Sequence, residues 1–587
     1  MNRIWHILKK NSRSETAHNL IFFDTETKPE RMPDGSERDW LWFGWICFTQ
    51  RTGKKTWGPD RWVRFTTVRG FWNIISRRMR PKTRWYVFCH NTSYDLPVVD
   101  IFNASFRHGW SLEGAVIEAP PTIITLKRKG AKLVFLDTLN WWRMPLKKIG
   151  ERLNLPKMKM PPPTASRGEW DAYCKRDVEV IKITVLNWLA FLKDNDLGGF
   201  ASTLASQAFR TFRHRFMTHD LVIDADETSH LICRESYHGG RVEAFKLGRQ
   251  LGPITGVDIN SMYPAVMRNN DYPTKLLSQH KTQPRHRWDF IFNNYCIVAR
   301  CIIHAKDPCY PLVENNRLCF PTGEIETTLC TPEIRLAFER GELIEMRDIV
   351  VYERAKIFTS FVDYMWGERQ SATAKGDEVG GWLFKILMNS LYGKFGQTGL
   401  VFQTTDHIKD LSSRQFRVKD FDTGKVIRCR QLGGLLQTMS VEGEARDSFP
   451  AIAAHVTSQA RVLLWDYMER AGLRNVLYTD TDSLYLTARG ACNLRYAVNP
   501  RELGQLKVTG VYEFMHIHGL KDYELPTQIV RKGIRHDAKE IGPNTFSQLQ
   551  WSSLKGLVGL GETNAPRRKT ITKVLKREYT KNRKTAV

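Results

Sequence analysis

The chain has 587 residues, 42% of them hydrophobic and 26% charged, and its 88 Lys+Arg outweigh 62 Asp+Glu for a formal net charge of +26. A chain of this length divides into three or more lobes at ~100–200 residues each, and it can bury a large core without staples. No apolar run approaches the ~18 residues that cross a bilayer, so a membrane span is excluded, and the positive field selects polyanions, nucleic acid first.

Taken in chain order, the start "MNRIWHILKKNSRSETAHN" is basic but lacks the apolar core of a signal peptide, which places the protein in the cytoplasm as an expectation. "NLIFFDTETKPE" predicts a strand carrying Asp24 and Glu26 on one face. "RWVRFTTVRGFWNIISRRMRPKTRWYVF" interleaves arginine with tryptophan, a pattern that serves either base stacking or aromatic packing with an arginine rim. "HNTSYDLPVV" supplies Asn91, Tyr94 and Asp95, and "EWDAYCKRDVEVI" puts Tyr173 and Asp177 at i and i+4 of a helix. "ITGVDINSMYP" predicts a short buried strand ending at Asp258, with Pro264 turning the chain. Cys296, Cys301, Cys309, Cys319 and Cys330 follow at spacings that fit no zinc template and read as small buried thiols.

In "GGWLFKILMNSLYGKFG", Lys385, Asn389 and Tyr392 fall at i, i+4 and i+7, which predicts one helical face, ended or bent at Gly393. In "NVLYTDTDSLYL", Asp480 and Asp482 lie two apart between apolar runs and are expected to project together at a tight turn. A turn explains one aspartate through its backbone bonds. A second like charge beside it calls for a cation, and a hard divalent ion that also takes phosphates fits best.

These segments, in this order, resemble the polymerase motifs of family B DNA polymerases: Asp258-x-x-Ser261-Met262-Tyr263-Pro264, Lys385-x-x-x-Asn389-Ser390-x-Tyr392-Gly393 and Tyr478-Thr479-Asp480-Thr481-Asp482-Ser483. The upstream trio resembles the three motifs of 3′–5′ proofreading exonucleases, with Asp24, Glu26, Asp95 and Asp177 as ligands of two metals and Tyr173 orienting water. The resemblance implies Mg²⁺, two per active site with Mn²⁺ as a substitute, held in the polymerase by Asp258, Asp480 and Asp482. It implies a triphosphate contact from Lys385, with Arg369 or Lys375 assisting. Tyr263 would exclude a 2′-OH, and Asn389 and Tyr392 would shape the base-pair pocket. Tyr237, Gly239 and Gly240 resemble a template-touching Tyr-x-Gly-Gly element, and Lys521 and Tyr523 a Lys-x-Tyr element that steadies the primer. Thr138 and Leu139, together with Asn91 and Tyr94, resemble single-strand contacts of the exonuclease. Lys157 or Lys159 stands where a site lysine belongs.

The 87 residues from Gly393 to Asp480 exceed a minimal return and resemble the insertion of the protein-primed branch, whose members displace the non-template strand. The expected fold class is a mixed α+β and α/β multidomain chain. An RNase H-like exonuclease domain (1–195) precedes a right-hand polymerase (196–587). The polymerase divides into palm (196–265 and 446–535), a first insertion resembling a terminal-protein region (266–355), fingers (356–398), a second such insertion (399–445) and thumb (536–587). The implied partners of this monomer are primer-template DNA, dNTPs and a terminal protein as primer, with a nucleic acid 3′-OH or no primer as open alternatives. The basic tail Arg567 to Lys584 either grips duplex or is a disordered end. The rival function is a catalytically reduced nuclease or DNA-binding polymerase relative, which predicts eroded carboxylates; all seven are present.

Overall fold

A computed structural model describes residues 4–577 and 579, except 54, 55, 119, 422, 423 and 425. Residues 19–137 build most of a ten-stranded sheet. Strand Asn19–Arg31 lies antiparallel to Glu37–Gln50 and parallel to Arg84–Cys89, which is itself parallel to Ala131–Asp137. The run Leu20 to Phe23 is fully buried, as expected of a strand covered on both faces. Helix Arg167–Asp194 packs on this strand and starts at a reciprocal Ser166–Glu169 capping box. In the arginine-tryptophan stretch, Trp72 and Trp85 are buried, so this segment is core with an arginine rim.

The second large sheet has seven strands in the order Val242–Ala244, Val476–Asp480, Ser483–Thr487, Gly248–Ile259, Leu506–Gly519, Asp522–Leu525 and Gln528–Arg531. Helix Pro450–Ala471 is buried on most of its circumference and touches helices from several segments. Residues 272–355 form a separate four-stranded sheet, in which Cys296, Cys301 and Cys330 are buried. Helices Thr359–Ala374 and Glu378–Asn389 pack against each other, and residues 398–444 form another four-stranded antiparallel sheet. Among the described residues no helix is long and apolar enough to cross a membrane.

Two local expectations are revised. Pro264 does not stop the chain: it sits in the first turn of helix Met262–Asn269, where its missing N–H costs nothing. Lys385 and Tyr392 do not share one helix. The helix ends at Asn389, where Ser390 Oγ donates back to Ile386 O, and Tyr392–Phe395 is a separate turn containing Gly393. Asp480 and Asp482 flank the expected tight turn, where Thr481, at φ 64°, folds the chain between two strands. The C-terminal segment expected as a thumb adds strands Lys539–Gly542, Thr545–Trp551 and Arg567–Val574 to the N-terminal sheet. Arg567 and Arg568 there pair with Arg38 and Glu37. They are ordered strand residues, not a loose basic end, while Glu578, Lys581, Arg583 and Lys584 lie outside the described residues.

Candidate active sites

The first site lies where strand Gly248–Ile259 meets the turn between Val476–Asp480 and Ser483–Thr487. Asp258 pairs across to Ser483, and the Ile259 N–H donates to Asp482 O at 2.8 Å. The Asp482 N–H donates to Asp480 O at 2.8 Å and the Thr481 N–H to Arg241 O at 2.7 Å, which fixes the turn from both sides. Burial, then the charges of Asp258 and Asp480, push the Asp482 carboxyl up to about 6, opposed by Lys507. Two ammonium groups sit on the other acids: Lys507 Nζ is 3.1 Å from Asp258 Oδ2, and Lys521 Nζ is 3.3 Å from Asp480 Oδ1. The three acids do not bring one oxygen each within 4.8 Å of one another in this conformation.

Facing this corner, the Tyr263 and Tyr392 rings stack at 4.6 Å. Burial lowers the pKa of Lys385, with Arg369 and Lys507 adding to the effect, while Asp258 opposes it; a cationic wall thus stands opposite the carboxylates. Arg369 Nη1 reaches Ser261 Oγ at 3.3 Å, whereas Lys375 caps the far end of its helix in solvent. Asn389 Nδ2 donates to Lys385 O at 2.7 Å. A Cβ on Gly240 would fall 2.8 Å from Thr481 Cγ2 and 3.2 Å from the Tyr263 hydroxyl, so this glycine admits the aspartate turn. Gly239 has open space beside it, and the Tyr237 ring lies against Gly396. Lys521 donates its N–H to the Tyr478 hydroxyl at 2.8 Å, and the Tyr523 ring lies 5.2 Å from Tyr478.

Beneath the glycines is a buried ion pair that sequence reasoning missed. Arg461 Nε is 2.7 Å from Glu333 Oε1, and Arg461 Nη1 donates to His238 O and Gly239 O at 2.7 and 3.0 Å. Its one sequence signal is a lone charged residue, Arg461, in the helical stretch "AIAAHVTSQARVLLW". Lys507 had no such signal.

The second site gathers Asp24 and Glu26 from their strand, Asp95 from helix Thr92–Val98 and Asp177 from the long helix. Thr25, between the first two, donates its N–H and Oγ1 to Asp95 Oδ1 at 3.1 and 2.6 Å. Burial pushes the Glu26 carboxyl up to about 8 and Asp95 up to about 7, and neighbouring acids add to the effect. Asp24 and Asp177 are raised for the same first reason. Lys157, not Lys159, pairs with Asp177, and its ammonium lies 4.6 Å over the Tyr173 ring. Asp177 Oδ1 is nevertheless buried without a hydrogen-bond partner, and ligand atoms of Asp24, Glu26 and Cys174 lie within 4.8 Å of one another. Crowded, proton-hungry oxygens with an orphan among them are a donor set suited to divalent cations. Asn91, Leu139 and Lys157 line a cavity of about 610 Å³. Thr138 is turned to His90, and Tyr94 donates to Asp39 Oδ2 at 2.8 Å, with Trp551 of the C-terminal segment 5.3 Å from its ring.

Residues 147–426 match the family model described as DNA polymerase type B, organellar and viral. The chain is 24% identical over 339 residues to a probable DNA polymerase of Neurospora intermedia, covering 55% of this chain and 33% of that protein. It is 23% identical over 496 residues to the DNA-directed DNA polymerase of Enterobacteria phage PRD1, covering 81% and 78%. The chain spans about a third of the length of the first curated relatives it matches. Its fold is similar to that of phi29 DNA polymerase complexed with primer-template DNA and incoming nucleotide substrates. That TM-score is 0.67 at 16% identity, covering 95% of this chain and 100% of the other.

Proposed function

Because residues 147–426 match the type B DNA polymerases of organelles and viruses and the chain resembles their protein-primed branch, we propose that it is a DNA-directed DNA polymerase with a 3′–5′ proofreading exonuclease, protein-primed and strand-displacing. The observation that carries this reading is the meeting of Asp258, from one strand, with Asp480 and Asp482, more than two hundred residues away, under Lys385 and the Tyr263–Tyr392 stack. Asp258, Asp480 and Asp482 would hold Mg²⁺, as would Asp24, Glu26, Asp95 and Asp177 in the second site; the raised carboxyls and the orphaned Asp177 oxygen fit that role. When bound, such ions supply charge stabilisation for the attacking and leaving oxygens of phosphoryl transfer.

The chain's own groups do the rest. Lys385, with Arg369 beside it, presents positive charge to a triphosphate. Tyr263 fills the space under the sugar, so a 2′-OH meets a ring, and Asn389 and Tyr392 border the nascent base pair. Lys507 and Lys521, now on Asp258 and Asp480, must leave these acids as ligands arrive, which frees Lys521 for the primer strand beside Tyr523. Gly239 offers backbone to a template phosphate. In the second site Tyr173, against Lys157, is placed to orient the attacking water, and the groove along Asn91 and Leu139 takes the unpaired 3′ end. A terminal protein as primer, residues 266–355 and 399–445 as the two insertions, a cytoplasmic location and a monomeric state complete the reading.

The test is incubation of the full chain with labelled dNTP, template and Mg²⁺, with and without an oligonucleotide or a hydroxyl-bearing protein primer. Label on either primer supports polymerisation and identifies the primer; DNA binding without incorporation would leave a DNA-binding relative. Asp24→Ala with Glu26→Ala should abolish single-strand degradation and leave extension intact, and unchanged degradation would remove the exonuclease assignment.

A further inference from the structure

Outside both sites, His516, His518 and Glu524 bring one ligand atom each within 4.8 Å of one another. The local structure explains why. His516 and His518 are two apart on strand Leu506–Gly519 and share a face. Glu524, on strand Asp522–Leu525, pairs directly opposite His516, and the register shift beyond Ile517 falls at His518. The imidazole centroids are 4.1 Å apart, and His518 Nε2 is 3.3 Å from Glu524 Oε1. All three side chains are half-buried, so the site is walled but reachable. Two cations border the site: Arg577, paired with Asp522 at 2.9 Å, also acts on His518, and Arg249, opposite His516 across the strands, lies 4.6 Å over the Phe514 ring.

We propose that His516, His518 and Glu524 form a divalent transition-metal site of the zinc class, with three protein ligands and water in the fourth place. Two imidazoles and one carboxylate suit Zn²⁺ or Co²⁺ and disfavour Mg²⁺ and Ca²⁺, which take oxygen. Ligand atoms around a tetrahedral ion at ~2.0–2.2 Å stand ~3.4 Å apart, so side-chain rotation alone closes the present spacing. The opposite face of the same strand pair carries Ile517 and Tyr523, packed with Tyr478 and Tyr485 under the aspartate turn. Lys521 sits at the hairpin turn itself. A metal on the outer face therefore staples the two strands that aim Lys521 and Tyr523.

The test uses the full chain, stripped with chelator and titrated with Co²⁺ or Zn²⁺ without DNA. Bound metal is counted after gel filtration, and Co²⁺ visible absorption is recorded. The wild-type chain should retain one equivalent that survives Asp24→Ala/Glu26→Ala and disappears in His516→Ala/His518→Ala. Glu524→Gln, which keeps size and shape, should bind at least ~10-fold more weakly with the far-UV spectrum unchanged, so a folding failure of the double variant does not decide the matter. Equal uptake and identical Co²⁺ spectra in wild type and Glu524→Gln would overturn the site. None of these readouts requires that the chain copy DNA.

Discussion

Asp482 shows how much one residue inherits from its backbone. Thr481 in the left-handed region and two turn hydrogen bonds hold its carboxylate beside Asp258 and Asp480, and burial with their charge pushes its pKa up to about 6. Asp482→Asn relieves that repulsion and keeps the shape, but it removes the charge that the proposed metal pair requires. Nucleotide incorporation should fall on the order of a thousandfold, since metal clamping supplies several kcal/mol at 1.36 kcal/mol per decade. DNA binding and single-strand degradation should persist; wild-type extension by this variant would make the pair mere turn residues. In the second site the sign runs through protons. Glu26 titrates at about 8 in the fold against 4.5 outside it, and Asp95 at about 7 against 3.8, so the folded chain binds protons more tightly. That contribution to stability is complete below the unfolded values and is lost as pH rises through the folded ones. In chelator, the Tm of the wild type should therefore drop between about pH 4 and pH 8. In Glu26→Gln the drop should be smaller, and Mg²⁺ should restore the wild-type loss. Parallel Tm profiles for the two chains would contradict this.

At the scale of elements, helix Pro450–Ala471 links parts far apart in the chain. Through Arg461 it holds both Glu333, in helix Thr331–Glu339, and the carbonyls of His238 and Gly239. Arg461 and Glu333 are almost fully buried, so removing one strands the other's charge. Arg461→Met alone should cost about 3–5 kcal/mol, read as a lowered urea midpoint. Arg461→Met with Glu333→Leu should recover most of that loss, because apolar replacement of a whole buried pair is close to neutral. The double variant should still bind primer-template more weakly, because nothing then grips the two carbonyls. Full recovery of DNA affinity would show that the pair only supports the core.

The whole molecule is closed by its ends. The C-terminal strands extend the N-terminal sheet, and Leu554 and Val558 enter the same core cluster as Leu112 of that domain and Leu432 and Leu435 of the sheet at 398–444. Buried Arg430 donates to Ala115 O at 2.5 Å, and the Leu554 N–H to Ser93 Oγ at 3.2 Å. Leu554→Ala should cost about 2–5 kcal/mol through the cavity it leaves. The loss should surface far from the substitution, as faster amide exchange in helix Thr92–Val98, which carries Asp95. Exchange confined to the C-terminal segment would mean that the closure is not cooperative. With a net charge of +26, primer-template affinity should also fall linearly on a logarithmic salt axis.

The strand of Asp24 and Glu26, the helical pairing of Tyr173 with Asp177 and the apolar strands flanking Asp480 and Asp482 were legible in the sequence, because periodicity is a short-range property of the backbone. The choice of Lys157 over Lys159, the ammonium groups of Lys507 and Lys521 on Asp258 and Asp480, and Arg461 under Gly239 belong to the tertiary structure. So does the joining of residues 567–574 to a sheet begun at residue 19. Each of these joins residues on separate segments, and a basic side chain has the same local pattern whether it meets solvent or a buried carboxylate. Packing of distant segments decides which.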